Sequence, residues 1–371
     1  MTETSNSFAA HSPYRRLARV LDALPNRFPS APDESDLRLL AKMFTPDEAD
    51  LAADLQPVLE QPAGIAARLG RSPQETAGLL KEMARKGLIA MGKTEQGRLG
   101  FGLMPFVVGI YEAQIERIDE EMARLFETYY RSAFGEALRE QPQFHRVVPV
   151  RESIQNTMEV RPFESASTLI EQAQAWGVTD CICRTQKALI GDACDHPVDL
   201  CMVISQKPDA FSSPASAGGA AGGGRGGVRP LTLEEAHQTL RRAAQAGLVH
   251  CVSNNQRDTW YICNCCTCSC AVLRGMVDLG IANVVARSSF VSGVDPEACA
   301  GCGDCLAACL FDAIRLEETA HVEAARCTGC GLCVPVCPQG ALALARRPEE
   351  SAPPLTEADW RSARRLAGQA G

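Results

Sequence analysis

The chain has 371 residues, a net charge of −8, 46% hydrophobic and 22% charged residues, proportions that fit a soluble globular protein of two or three domains. The acidic balance excludes a generally nucleic-acid-binding surface. All 18 cysteines fall between Cys181 and Cys337, and none precedes them.

The N-terminal residues, MTETSNSFAAHSPYRRLARVLDAL, show no apolar stretch leading to a small-residue cleavage site, and the segment after Arg15 and Arg16 is amphipathic and acidic. The longest apolar run, Phe101 to Tyr111, is too short to span a bilayer. No membrane span is expected, and the expected location is a reducing cytoplasm. Clustered cysteines there read as metal ligands or redox groups and not as disulfides.

Residues 1–60 are expected to be helical, Ala/Leu-rich and without chemistry. The next region, 61–150, opens with a short helix, a turn at Gly70, and a second helix with Ser72 as N-cap, Pro73 at its first position and Glu75 three residues after the cap. Ala77, Leu80, Met83 and Ala84 give that helix a buried stripe, and Gly87 ends it. Extended pieces follow at Leu88–Met91 and Leu99–Leu103, so the segment resembles a winged helix-turn-helix. Its charges argue against DNA recognition, since residues 1–100 hold 13 acidic and 13 basic side chains and phosphate binding needs a cationic face. A docking or structural role is the expected one. One long amphipathic helix is expected over 105–140, with Phe126, Tyr129, Tyr130 and Phe134 as core.

The central region, 151–287, begins with an extended piece and a helix between Val160 and Gly177. It contains a low-complexity insertion at 212–227, SSPASAGGAAGGGRGG, and then a capping box of Thr232 and Glu235 opening a helix that stops at Gly247. Ten cysteines lie here: Cys181 and Cys183 followed by Arg184, then Cys194 and Cys201, a lone Cys251, and Cys263, Cys265, Cys266, Cys268 and Cys270. In an extended segment residues two apart share a face, so Cys181 with Cys183, Cys263 with Cys265, and Cys266 with Cys268 and Cys270 are expected to present paired sulfurs. Apart from Cys251, these are the candidate ligands of one or two additional [4Fe-4S] clusters or of zinc, with a thiol/disulfide site as a further possibility. Arg184 and Lys187 either offset the charge of a thiolate-ligated cluster or are solvated. His196 and His250 are left as structural or exposed residues.

The last region, 288–346, carries the strongest pattern, followed by a tail at 347–371. Cys299, Cys302, Cys305 and Cys309 reappear 28 residues later as Cys327, Cys330, Cys333 and Cys337. The repeat extends to Ala313-Ile314-x-Leu316 and Ala341-Leu342-x-Leu344, with extended segments preceding each set. One tight loop presents three thiolates to three irons of a cubane, and the fourth cysteine of each run serves the other cluster. The expected ligand sets are therefore Cys299, Cys302, Cys305 and Cys337 for one cluster and Cys327, Cys330, Cys333 and Cys309 for the other. Gly301, Gly303, Gly329 and Gly331 are expected to let the backbone approach the inorganic sulfides.

In all eight ligand positions residues 288–346 resemble the bacterial two-[4Fe-4S] ferredoxin family, with Leu310 standing where the family usually has proline and Pro338 keeping it in the second half. The resemblance implies two [4Fe-4S] clusters and one-electron transfer with a redox partner protein or oxidoreductase complex. Seven acidic against three basic residues in this segment make a basic docking surface on that partner the complement. More loosely, residues 60–346 resemble multi-cluster iron–sulfur proteins of anaerobic microbes. The expected class is α+β: a helical N-terminal region with a winged-helix-like segment, a central α+β cysteine-rich domain and a ferredoxin-like two-cluster βαβ repeat. Two rival readings are a redox-sensing DNA-binding regulator and an oxidoreductase whose central cluster has an open iron position.

Overall fold

The computed structural model describes residues 8, 12–149, 153–154, 158–212, 227–348 and 352–369. All but the ends of the expected insertion at 212–227 lie outside the described residues. Helices and sheets are both present, in an α+β arrangement of two compact units. One holds residues 1–137, 185–193 and 210–228, the other 138–184, 194–209 and 229–371, as far as these are described.

The first unit opens with α1 (Pro13–Asp22), α2 (Ser35–Met43) and α3 (Pro46–Ala53). The start of α3 is fixed by a capping box in which Thr45 and Glu48 satisfy each other's backbone N–H groups, which removes two of the orphan donors of a helix start. After α4 (Pro62–Leu69), Gly70 turns the chain at φ +63° and Ser72 accepts from the Glu75 N–H to begin α5 (Pro73–Arg85). Leu80, Met83 and Ala84 are buried along α5. An antiparallel hairpin of β1 (Ala90–Lys93) and β2 (Leu99–Gly102) follows, with Ala90 opposite Gly102.

The single long helix expected over 105–140 does not form. Asp119 accepts from the Met122 N–H and starts α6 (Glu120–Tyr129) there, which continues through a wider turn at Tyr130–Phe134 into α7 (Gly135–Arg139). Upstream, the Gly109 N–H donates to the Glu112 carboxylate at 2.6 Å. Such local side-chain bonds compete with the helix ladder for backbone groups. The aromatic residues nevertheless reach one core, with Tyr111 stacked on Phe126 at 3.8 Å and Phe28 against Tyr129 at 4.7 Å.

The second unit is built on a six-stranded, wholly antiparallel sheet in the order β3-β7-β8-β5-β4-β6. The strands are β3 (His145–Val147), β4 (Ala175–Thr179), β5 (Cys201–Ser205), β6 (Arg229–Leu231), β7 (Val249–Ser253) and β8 (Tyr261–Cys265). Between Val160 and Gly177 the order is helix then strand, the reverse of the expected one: α8 (Ala166–Gln172) precedes β4, which pairs with both β5 and β6. Helices α8 and α10 (Leu233–Gln245) cover a sheet face, where Leu169, Ile170, Ala236 and Leu240 meet Val178, Met202, Ile204 and Ile262. The remaining α-helices among the described residues are α9 (Ile182–Leu189), α11 (Arg274–Asp278), α12 (Asp304–Ala307) and α13 (Glu357–Gln369).

His145 gives this sheet a pH dependence. The side chain is buried, neither ring nitrogen has a hydrogen-bond partner among the described residues, and burial pushes its pKa down to about 4. An unfolded histidine titrates near about 6.5, so the stability His145 contributes is fully present above that pH and is lost as the pH falls toward about 4. The loss is on the order of 3 kcal/mol. Apparent melting temperature against pH, compared with His145→Phe, checks this: the variant should shed most of the acid-side slope between those limits.

Candidate metal centres

The two cysteine runs lie between strands that pair across the repeat. The first run sits between β9 (Phe290–Val294) and β10 (Ile314–Leu316), the second between β11 (Ala320–Val322) and β12 (Leu342–Arg346). β9 pairs with β12 and β10 with β11, both antiparallel, so the end of each repeat is laid against the start of the other. Two small cavities result. One is lined by Cys299, Cys302, Cys305 and Cys337, the other by Cys309, Cys327, Cys330 and Cys333.

Backbone N–H groups point at these sulfurs. Ala313 donates to Cys309 Sγ and Ala341 to Cys337 Sγ, both at 3.3 Å, and Ala320 donates to Cys299 Sγ at 3.4 Å. The first two are equivalent positions of the repeat, so Leu310 in place of proline leaves that hydrogen bond unchanged. At two positions the chain itself also requires glycine. A Cβ on Gly329 (φ +70°) would lie 2.0 Å from the Phe290 carbonyl oxygen, and one on Gly301 (φ +67°) 2.7 Å from that of Glu318. Their backbone is pressed against the protein's own chain in a conformation that favours glycine.

The two cavities differ in exposure. Cys302 is exposed, and hydrogen bonds from the Ala320 and Gly301 N–H groups lower the Cys299 thiol pKa. In the other cavity Cys327 and Cys333 are buried, and burial pushes Cys330 up to about 12 and Cys333 to about 11. A Ser292 Oγ to Cys333 Sγ contact of 3.4 Å completes that wall.

The ten central cysteines separate into two groups. The first is a nest of seven thiols gathered at the sheet: Cys251 of β7 is opposite Cys263 of β8, which ends on Cys265, Cys201 begins β5, and Cys270 follows the turn after β8. Cys181 immediately precedes α9 and Cys183 lies in its first turn, so this pair is not on the extended face expected for it. Hydrogen-bond contacts link Cys181 to Cys183, Cys183 to Cys270, Cys270 to Cys265, Cys265 to both Cys251 and Cys263, and Cys263 to Cys201. Neighbouring thiols and burial hold Cys181, Cys183, Cys263 and Cys270 well above the usual thiol range and Cys265 at about 12. Seven thiols at one place make a soft donor set, of a kind that can bind metal with release of protons. Cys251, which the spacing left aside, belongs to this nest and lies close enough to Cys330 for their charges to interact.

Arg184 is 4% exposed. One of its nitrogens donates to the Asn264 carbonyl at 2.9 Å, while among the described residues Nε and Nη2 have no oxygen or nitrogen acceptor and the guanidinium faces Cys181, Cys265 and Cys266. Burial alone would lower its pKa, but those sulfurs raise it. A buried cation without a carboxylate is costly unless its neighbours are anionic, so the nest is built for thiolates. Lys187, in contrast, is neither solvated nor tied to sulfur: it is buried and paired with Asp192 and, at 3.9 Å, Glu127. His250 is a structural residue, its Nδ1 2.5 Å from Asn264 Oδ1.

The second group is Cys194, His196, Cys266 and Cys268, whose ligand atoms all lie within 4.8 Å of one another. The expected pairing of Cys266 and Cys268 with Cys270 on one extended face does not hold. β8 ends at Cys265 and a turn occupies 267–269, so Cys266 and Cys268 go one way and Cys270 the other.

Residues 292–344 match the 4Fe-4S dicluster domain family. This segment holds all eight cysteines of the repeat, so the chain contains a ferredoxin-like [4Fe-4S]-binding domain and has an iron–sulfur electron-transfer role. No curated protein and no solved structure matches the chain. Among the described residues no helix is long and apolar enough to cross a membrane.

Proposed function

We propose that this chain is a multi-cluster electron-transfer protein. Cys299, Cys302, Cys305 and Cys337 hold one [4Fe-4S] cluster of the ferredoxin domain, Cys309, Cys327, Cys330 and Cys333 the second, and the seven-thiol nest a further one. The observation that carries this reading is the pair of cavities, each lined by three cysteines of one run and the last cysteine of the other. Bound there, such clusters supply one-electron redox chemistry.

The chain's own contribution is placement and electrostatics. Exposed Cys302 marks the site open to a partner, buried Cys327 and Cys333 the more enclosed one, and Cys251, within electrostatic reach of Cys330, is the nest thiol on that side. The acidic surface of residues 288–346 favours a basic partner. The α4–α5–hairpin segment, winged-helix-like in its element order, serves docking and not DNA reading: Arg85 is held by Glu82 at 2.7 Å and Lys86 by Glu48 at 2.8 Å, which removes cations from a phosphate-binding face.

Iron and acid-labile sulfide analysis of anaerobically purified protein, with low-temperature EPR on reduction, tests the reading. About twelve irons per chain are expected, four per cluster, whereas about eight would confine iron to the ferredoxin domain. An iron-free, zinc-loaded protein after anaerobic preparation would overturn the electron-transfer reading.

A further inference from the structure

We propose that Cys194, His196, Cys266 and Cys268 form a closed four-ligand site for a single zinc ion, separate from the iron–sulfur sites and holding the nest in shape.

The distances decide between one ion and a cluster. Tetrahedral bonds of about 2.3 Å to sulfur and about 2.0–2.1 Å to nitrogen place ligand atoms roughly 3.5 to 3.8 Å apart. The four atoms here lie within 4.8 Å of one another, and Cys268 Sγ is 3.6 Å from His196 Nδ1. Ligands of a cubane sit on four different irons and are spread wider than ligands sharing one ion. Three sulfurs and one imidazole are also a characteristic zinc set, and four protein ligands leave no open position, as in structural sites.

The surroundings are those of a built site. Ser269 Oγ lies 3.2 Å from Cys194 Sγ, an outer hydroxyl able to donate to a thiolate. Leu200, Ala243 and Leu248 pack with Cys266 as an apolar wall, and Arg184 faces Cys266 from inside. Cys268 is exposed, which gives the ion a way in.

The connectivity explains what the ion does. Cys194 and His196 come from the loop between α9 and β5, Cys266 and Cys268 from the turn after β8. Cys201 lies five residues after His196, and Cys265 directly precedes Cys266, so clamping the two segments together fixes two nest thiols at once. His196 becomes a ligand through this crossing of segments, with no sequence motif of its own.

The test is metal analysis of the full chain purified anaerobically from zinc-containing medium. About one zinc per chain is expected beside the iron, and His196→Ala and Cys268→Ser should each lose it. His196→Cys, which supplies a fourth thiolate, should keep it, separating ligation from misfolding. Cobalt(II) in place of zinc should show tetrahedral d–d bands that His196→Ala abolishes. Wild-type protein without zinc, or a Cys268→Ser protein that keeps its zinc and loses about four irons, would overturn the proposal. The iron of the ferredoxin domain, counted in the same samples, reports separately on the electron-transfer reading.

Discussion

Cys337→Ala is expected to remove iron from the site of the other cysteine run. Its sulfur lies with Cys299, Cys302 and Cys305, while Cys330 and Cys333, its sequence neighbours, line the second cavity with Cys309. The cause is the cross-pairing of β9 with β12 and of β10 with β11, which turns the end of each repeat toward the other's loop. Loss of one ligand at the more exposed site should cost up to about four of the roughly eight irons proposed for the domain. Double variants make the assignment decisive, because changes in one site overlap and changes in two sites add. Cys302→Ala combined with Cys337→Ala should lose little more iron than either alone, whereas Cys330→Ala combined with Cys337→Ala should empty both sites. Iron counts that follow sequence order instead, with Cys337→Ala and Cys330→Ala overlapping, would refute the exchange.

The eight-cysteine repeat was legible because its information is local. Each run folds as a tight loop, and the 28-residue offset displays the duplication in the order of the residues alone. Helix starts at Ser72 and Thr232 were legible for the same reason: a capping side chain reaches only three residues ahead. The division of the central cysteines was not. Whether Cys266 shares a face with Cys265 or Cys270 depends on where β8 stops, and the ladder with β7 ends at Cys265 opposite Val249. His196 and Cys251 acquired neighbours only through contacts between distant segments. Arg184 and Lys187, three residues apart on one helix, met opposite partners, sulfur for one and carboxylates for the other. Long-range burial chose between them, and no local rule contains it.

Arg184 carries the last large prediction. Removing a buried partner of a charged group leaves the opposite charge uncompensated, a change of roughly 3–5 kcal/mol. Thiolates facing Arg184 would meet that situation in Arg184→Leu, because a metal-loaded nest is anionic and, among the described residues, no other cation is seen to face Cys181 or Cys265. Outer partners of metal ligands typically contribute about 10–100-fold in affinity. Arg184→Leu should therefore lose the central iron, about four atoms per chain, and leave the ferredoxin iron and its EPR signal in place. Arg184→Lys keeps the charge without the planar fork that also reaches the Asn264 carbonyl at 2.9 Å, and should fall between the two. Any iron retained in the nest of Arg184→Leu should reduce at lower potential, since adding an electron next to a lost positive charge is harder. Full iron content with an unchanged potential in Arg184→Leu would show that the guanidinium answers to its backbone contact alone and not to the sulfurs it faces.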